Sequence, residues 1–328
     1  MGNLRNVHAL RISRNLCSYC GACILACPLK ALELDDEHCK PSFHSHICVN
    51  CGLCVEVCPT FKEFECVELR AAYAARTLIP EVASRAQDGG FTTSLLIAAL
   101  EEGTVEAALV VSSSSEIPLL PHPILASSRR EVIGAAGSKY AYTPILSLLE
   151  EACSCYDAVA LVGLPCHLRA LRLLSSLLPK YAECVKLAIG LFCYENFTRD
   201  ALRVVGELIG ADLDSIVRVS IRGRWVEVET KARSGRVPLE SLEPYTRPVC
   251  LACSDYLACL SDVSVGGTGS SQGWSTVLVW SERGMKAIEA CLKRGYIELR
   301  TLSKESLNRV YRVGRLKRAR AERYLRGI

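Results

Sequence analysis

Cysteines set the chemistry of this 328-residue chain. Two runs, Cys17-Ser-Tyr-Cys20-Gly-Ala-Cys23-Ile-Leu-Ala-Cys27-Pro28 and Cys48-Val-Asn-Cys51-Gly-Leu-Cys54-Val-Glu-Val-Cys58-Pro59, repeat a single C-x2-C-x2-C-x3-C-P pattern. Two-residue gaps let a tightly turning loop aim three thiolates at one iron–sulfur cube, while the fourth cysteine opens a helical turn that faces the other cube. The expected ligand sets of two [4Fe–4S] clusters are therefore crossed: Cys17, Cys20 and Cys23 with Cys58, and Cys48, Cys51 and Cys54 with Cys27. Gly21 and Gly52 stand where the backbone must pass close to sulfide. A four-cysteine zinc site is the competing reading, yet zinc ribbons hold two separated C-x2-C pairs without a trailing Cys-Pro. His38, His44 and His46 lie between the runs, where an exposed hairpin is a more economical setting than a metal site. Cys39 and Cys66 read as spare thiols.

Other segments offer binding chemistry. Gln87-Asp88-Gly89-Gly90-Phe91-Thr92-Thr93-Ser94 precedes an apolar helix. Paired glycines followed by hydroxyls at a helix N-terminus form an anion cradle, since free amides point outward and the dipole favours negative charge. An ordinary capped helix start explains the same residues equally well. Gly137-Ser138-Lys139-Tyr140 supplies a glycine turn, a cation and an aromatic before another helix. Gly266, Gly267, Gly269 and Gly273 with Trp274 form a loop that a planar ring could approach, with a plain turn as the alternative. Gln87 and Gln272 are the only glutamines of the chain, and both fall in these segments.

These residues must be positioned by a core. Half of the chain is apolar, which excludes disorder as the default. Strands are predicted at 105–111, 156–162 and 185–192, and helices at 91–102, 144–152, 166–178, 198–210 and 282–294. Thr143-Pro144 suits an N-cap followed by proline at the first helical position. Such alternation predicts an α/β layer architecture after residue 66, preceded by a two-cluster unit over 1–65, giving an α+β chain overall. Residues 216–239 read as an antiparallel hairpin turning at Ser234-Gly235, and a basic terminal helix is expected from 304.

Residues 301–328 carry nine Lys/Arg against two Asp/Glu, while the rest of the chain is nearly balanced. A basic tail on a neutral body argues against a nucleic-acid-binding face. Glu101 and Glu102 interrupt the longest apolar stretch, so no transmembrane segment is expected; no export signal is evident, and the expected location is cytoplasmic. The nineteen cysteines then point to metal ligation rather than to a disulfide framework.

Residues 17–58 resemble bacterial-type two-cluster ferredoxins. The remainder resembles the beta subunits of coenzyme F420 hydrogenases and dehydrogenases. The matching segments are QDGGFTTSLL (87–96), GSKYAYTP (137–144), VGLPCHLRAL (162–171), IGLFCYENF (189–197), Cys250-x2-Cys253-Ser-Asp-Tyr and SDVSVGGTGSSQGWSTVLV (261–279). The resemblance implies FAD in an α/β domain with a mixed sheet spanning 66–328, the deazaflavin F420 docking against it, and a third [4Fe–4S] cluster. Cys166 and Cys193, each following a strand, and the Cys250/Cys253 pair are its expected ligands, with Cys259 as rival to the fourth. The alternative is that Cys166 and Cys193 are buried hydrophobes and Cys250/Cys253 a redox pair. Cys153, Cys155, Cys184 and Cys291 read as structural.

The expected FAD or F420 contacts are Gln87, Asp88, Gly89, Gly90, Thr92, Thr93, Gly137, Ser138, Lys139, Tyr140, Gly267, Gln272 and Trp274, with Lys139 facing an anionic flavin group. His167 stands where the family pattern expects glutamine. No side chain is assigned as a general base. The implied partner is a redox subunit: a hydrogenase, a formate dehydrogenase, a membrane complex or another reductase. Two other functions fit the same residues: an electron-transfer adaptor without deazaflavin use, and a flavin reductase of another substrate, since relatives act on chlorophyll-pathway pigments.

Overall fold

The computed structural model describes residues 5–60, 62–113 and 120–327. Each cysteine run folds by the same local rule. Gly21 (φ +90°) and Gly52 (φ +86°) take the left-handed conformation and open one-turn helices, Ala22–Leu25 and Leu53–Glu56. Between the runs, β1 (Leu32–Asp35) and β2 (Lys40–Phe43) pair as an antiparallel hairpin. His38 and His44 sit on it, in ion pairs with Asp35 (2.9 Å) and Glu33 (3.3 Å), so the histidines occupy the exposed hairpin expected of them.

The rest is built on β3 (Ala71–Thr77), β4 (Ala107–Ser113), β5 (Pro121–Ala126), β6 (Val159–Gly163), β7 (Val185–Leu191), β8 (Ile216–Arg222), β9 (Trp225–Thr230), β10 (Ser234–Pro238), β11 (Val263–Gly266), β12 (Ser275–Val279) and β13 (Ile297–Thr301). Eight of these form a mixed sheet in the order β13-β3-β12-β11-β7-β6-β4-β5. Its centre, β4, β6, β7 and β11, is parallel, and the remaining pairings are antiparallel.

The central strands are mostly apolar because both faces are covered. Along β4, Ala107 and Leu109 join one core cluster while Ala108 and Val110 join the other, the alternation a strand imposes. One face is covered by the helix Phe91–Glu101, whose Phe91, Leu95 and Ile97 are fully buried. The opposite cluster is continuous with the two-cluster unit: Cys20, Cys23, Cys54 and Val57 share it with Leu146, Leu149, Leu161 and Leu168. The two regions thus bury apolar surface against each other.

Several local expectations are corrected. Thr143 is no helix cap: its Oγ1 is buried without a partner, and Pro144 leads into a 3₁₀ turn, Ile145–Leu148, before the helix Leu149–Cys155. Tertiary packing decides this, for Ile145 and Leu146 are fully buried and the Leu146 amide donates to Cys20 O at 3.1 Å. Residues 216–238 form three antiparallel strands rather than a hairpin. Ser234-Gly235 begins β10 instead of turning. The turn precedes it, where Thr230 Oγ1 accepts from the Arg233 amide at 2.9 Å. Gly235 is needed for close packing, since a Cβ there would lie 3.2 Å from Ile209 Cγ2. Two disulfides, Cys66–Cys259 and Cys153–Cys184, overturn the reading of Cys66 as a spare thiol and remove Cys259 as a ligand candidate. The terminal helix spans Lys304–Arg326. Among the described residues no helix is long and apolar enough to cross a membrane.

Candidate redox site

In both ferredoxin-type loops the residue two after the first cysteine is left-handed, Tyr19 (φ 55°) and Asn50 (φ 58°). That conformation turns its amide onto sulfur: Tyr19 N–H donates to Cys17 Sγ at 3.3 Å and Asn50 N–H to Cys48 Sγ at 3.4 Å. Val7 and Ala31 amides serve Cys54 and Cys27 in the same way, each at 3.3 Å. Cys27, Cys48, Cys51 and Cys54 line one cavity with Leu32 and Phe43. Cys23 lies within electrostatic reach of Cys17, Cys20 and Cys58, and then of Cys54. The crossed grouping read from the spacing is therefore the grouping the fold brings together. Burial pushes the Cys17 thiol up to about 11 and Cys20 up to about 12. Thiols so placed stay protonated on their own, and the iron of a cluster would supply the cation that ionises them.

A third thiol group forms from segments far apart in sequence. Cys166 lies in the first turn of the helix Pro165–Leu177 after β6, Cys193 follows β7, and Cys250 and Cys253 come from the short helix Pro248–Leu251 and the loop behind it. The Cys166 thiol is raised by burial and by the charges of Cys193 and Cys253, followed by Cys20 of the first set and Cys250. Cys193, Cys253 and Cys250 thus lie within electrostatic reach of Cys166, as does Cys20 of the first ferredoxin group, and Cys166 and Cys193 stand at the carboxyl ends of parallel strands. Burial lifts Cys193 to about 12 and Cys250 above its usual value. Tyr142 Oη lies 2.7 Å from Cys250 Sγ. Among the described residues, no three His, Cys, Asp or Glu side chains close to the spacing of a single metal ion. His167 is buried, its pKa held near about 4 by desolvation, and its Nδ1 accepts the Leu164 amide at 3.2 Å. It caps its own helix.

The third feature is a cradle between the sheet and the three-stranded unit. Gly89 packs so closely on β3 and β12 that a Cβ would lie 2.3 Å from Ala75 O. Gly90 (φ +67°) opens the helix Phe91–Glu101 without any side-chain cap, leaving its first amides free, with Thr92 and Thr93 half-buried in the first turn. Asp88 pairs with Arg222 at 3.2 Å, and a Cβ on Gly267 would lie 2.7 Å from Asp88 Oδ2. Tyr140 Oη accepts the Ile221 amide at 3.3 Å beside them. Gln87 Oε1 is buried without a partner. An orphaned acceptor, free helix amides and a carboxylate–guanidinium pair fit a group with both N–H donors and anionic oxygens, as a flavin dinucleotide has.

Lys139 does not project as expected. Its Nζ caps the helix Arg129–Gly134 by donating to Ala136 O (3.1 Å) and Gly137 O (3.0 Å), and burial lowers its pKa to about 8. Gly137 takes φ +89°, Ser138 and Gln272 are exposed, and Trp274 lies between the guanidiniums of Arg76 (4.9 Å) and Arg300 (4.3 Å). Sequence reasoning missed Arg222, Tyr142, Lys317 and Arg320. One of these was legible: Lys317 falls on the same helical stripe as Val310, Gly314 and Ala321, where an apolar residue belongs.

Fold and thiol groups together define an iron–sulfur electron-transfer protein. Residues 9–59 match the 4Fe-4S dicluster domain, residues 72–150 the N-terminal domain of the coenzyme F420 hydrogenase/dehydrogenase beta subunit, and residues 156–305 its C-terminal domain. The chain belongs to the family of coenzyme F420 hydrogenase/dehydrogenase beta subunits. It is 34% identical over 259 residues to a coenzyme F420 hydrogenase subunit beta of Methanosarcina barkeri, covering 72% of this chain and 88% of that one. It is 28% identical to a subunit of the F(420)H(2) dehydrogenase of Methanosarcina mazei, covering 94% of this chain and 90% of that one. A chain of the F420-reducing [NiFe] hydrogenase complex from Methanosarcina barkeri superposes with a TM-score of 0.75 at 28% identity, covering 81% of this chain and 94% of that one.

Proposed function

We propose that this protein is an F420-linked oxidoreductase subunit that holds FAD and three [4Fe–4S] clusters and exchanges electrons with a partner redox subunit. One observation supports the reading: the three thiol groups lie in series. Cys166 of the third group lies within reach of Cys20, and Cys23 of that first ferredoxin set within reach of Cys54 of the second. The second set reaches the surface, with Cys51 exposed among Ile47 (37% exposed) and Val49 (69%). A flavin, when bound, takes up the two electrons of a hydride and releases them singly, which suits it to sit between F420 and clusters.

The chain's own residues do the positioning. Gln87 Oε1 would accept from an N–H of the bound group, the amides behind Gly90 would receive an anionic oxygen, and Arg222 holds Asp88 in place at the rim. The Leu146 amide on Cys20 O keeps the first ferredoxin loop seated against the larger region. The exposed Cys51 face is where a hydrogenase, formate dehydrogenase, membrane complex or other reductase would dock.

Anaerobic purification with cofactor analysis tests the reading, and about twelve irons per chain are expected, four for each cube. FAD content and F420-dependent reduction of a viologen dye are the further expected results. Clusters without flavin would replace this reading by an adaptor role, and flavin without F420 turnover by a reductase of another substrate.

A further inference from the structure

The helix Lys304–Arg326 lies almost wholly beyond the family match, which ends at residue 305. A basic run of this kind ordinarily covers a solvated face. One face of this helix does something else. Val310, Lys317 and Ala321 are buried to 0%, 1% and 2% exposure, so an ammonium occupies the apolar stripe. Lys317 Nζ donates to Cys193 O at 2.6 Å and to Asp255 O at 2.7 Å. One turn later, Arg320 binds Glu195 at 2.5 Å, Tyr194 O at 2.9 Å and Cys250 O at 3.3 Å. The helix therefore grips the loops that carry Cys193, Cys250 and Cys253.

The two cations differ in one respect. Arg320 is neutralised by the Glu195 carboxylate. Lys317 contacts backbone carbonyls and, among the described residues, has no carboxylate in ion-pair contact. A buried ammonium left without an anion costs several kcal/mol, so a counter-charge should lie within its field. The thiols that face it are Cys253, Cys193 and Cys250, with Asp255 also near.

We infer that Lys317 sets the reduction potential of the cluster held by Cys166, Cys193, Cys250 and Cys253; this rests on the reading of those four cysteines as ligands. A four-thiolate cube is anionic when oxidised and more so when reduced. A fixed neighbouring cation stabilises the reduced form more and raises the potential, and burial keeps solvent from screening it. The helix outside the family match thereby makes the third cluster a better acceptor.

The test is an EPR-monitored redox titration of the anaerobically purified full chain, poised with dithionite and mediators. Lys317→Met removes charge and donor. Lys317→Gln keeps a donor for the carbonyls without the charge, and Lys304→Gln on the exposed first turn is the control. Both neutral variants should retain the third signal and lower its reduced-to-oxidised ratio about tenfold at a fixed poise, about 59 mV for a one-electron couple, leaving the ferredoxin signals and the control unshifted. An assembled third cluster with unchanged potential in both variants would overturn the inference. So would loss of that cluster from both with ferredoxin iron intact, since Lys317 would then be a brace alone. Wild-type protein with about eight irons would overturn the cluster reading beneath it as well.

Discussion

The two ferredoxin-type thiol groups and the third one hold the same donor set by different means. In the first region the ligands come from short repeats, and the backbone itself is the device: Gly21 and Gly52 turn the chain, while the Tyr19 and Asn50 amides point at sulfur. In the second, Cys166 and Cys193 are brought close because β6 and β7 end side by side, and the segment 248–253 adds Cys250 and Cys253 from elsewhere in the chain. Side chains from elsewhere finish that site, Tyr142 on Cys250 and Lys317 on the Cys193 loop. A locally encoded site carries its own second layer of contacts. An assembled site borrows one from the whole fold.

Breaking the assembled site should leave the local ones standing. Cys193→Ser is expected to abolish the third cluster, taking iron from about twelve to about eight per chain with the ferredoxin EPR signals intact. Loss of all three signals would show that the regions fold as one unit.

The disulfide Cys66–Cys259 joins the connecting segment to the loop just past Cys253 across a separation of 193 residues. Its removal by Cys66→Ser should cost about 5 kcal/mol in the chain-entropy model, read as a lower denaturation midpoint. Thiol reduction of the wild type should lower the midpoint further, since it also opens Cys153–Cys184. If the third cluster is also the first to be lost on partial denaturation, the contrast sharpens.

The repeat supplies an internal control. Gly21→Ala and Gly52→Ala impose the same left-handed strain, about 1–2 kcal/mol. A Cβ on Gly21 would lie 2.8 Å from Ser147 N, whereas on Gly52 its nearest contact is 3.6 Å. Gly21→Ala should therefore cost about 3 kcal/mol or more, and Gly52→Ala only the strain, measured by thermal unfolding. Equal costs would mean that the first loop does not bear on the larger region. The smallest effect is expected of Tyr142→Phe. Losing the hydroxyl on Cys250 Sγ should cost about 1 kcal/mol and shift the third cluster alone.

These contrasts follow what was legible before folding. The ferredoxin cysteine repeats, the strand positions of β4, β6 and β7 and the helix start at Gly90 were readable because period, turn chemistry and ligand spacing are local properties. The Thr143 cap and the Ser234-Gly235 turn were misread because fully buried Ile145 and Leu146, and Ile209 beside Gly235, outweigh local preference. The disulfide partners were invisible, since spacing says nothing about which distant thiols meet. Lys317 could be placed on the stripe of Val310, Gly314 and Ala321, but a basic run shows no burial of that stripe until the helix is packed.

By itself the order of residues determined that this protein carries cysteines in two cluster-binding repeats and strands alternating with helices, because those patterns repeat over a few residues. Only the tertiary structure decided that Cys166 lies within electrostatic reach of Cys20 as well as of Cys193, Cys250 and Cys253, and that a lysine from the last helix is buried against the Cys193 loop. Proximity across hundreds of residues depends on how a sheet orders its strands, and no local pattern encodes that order.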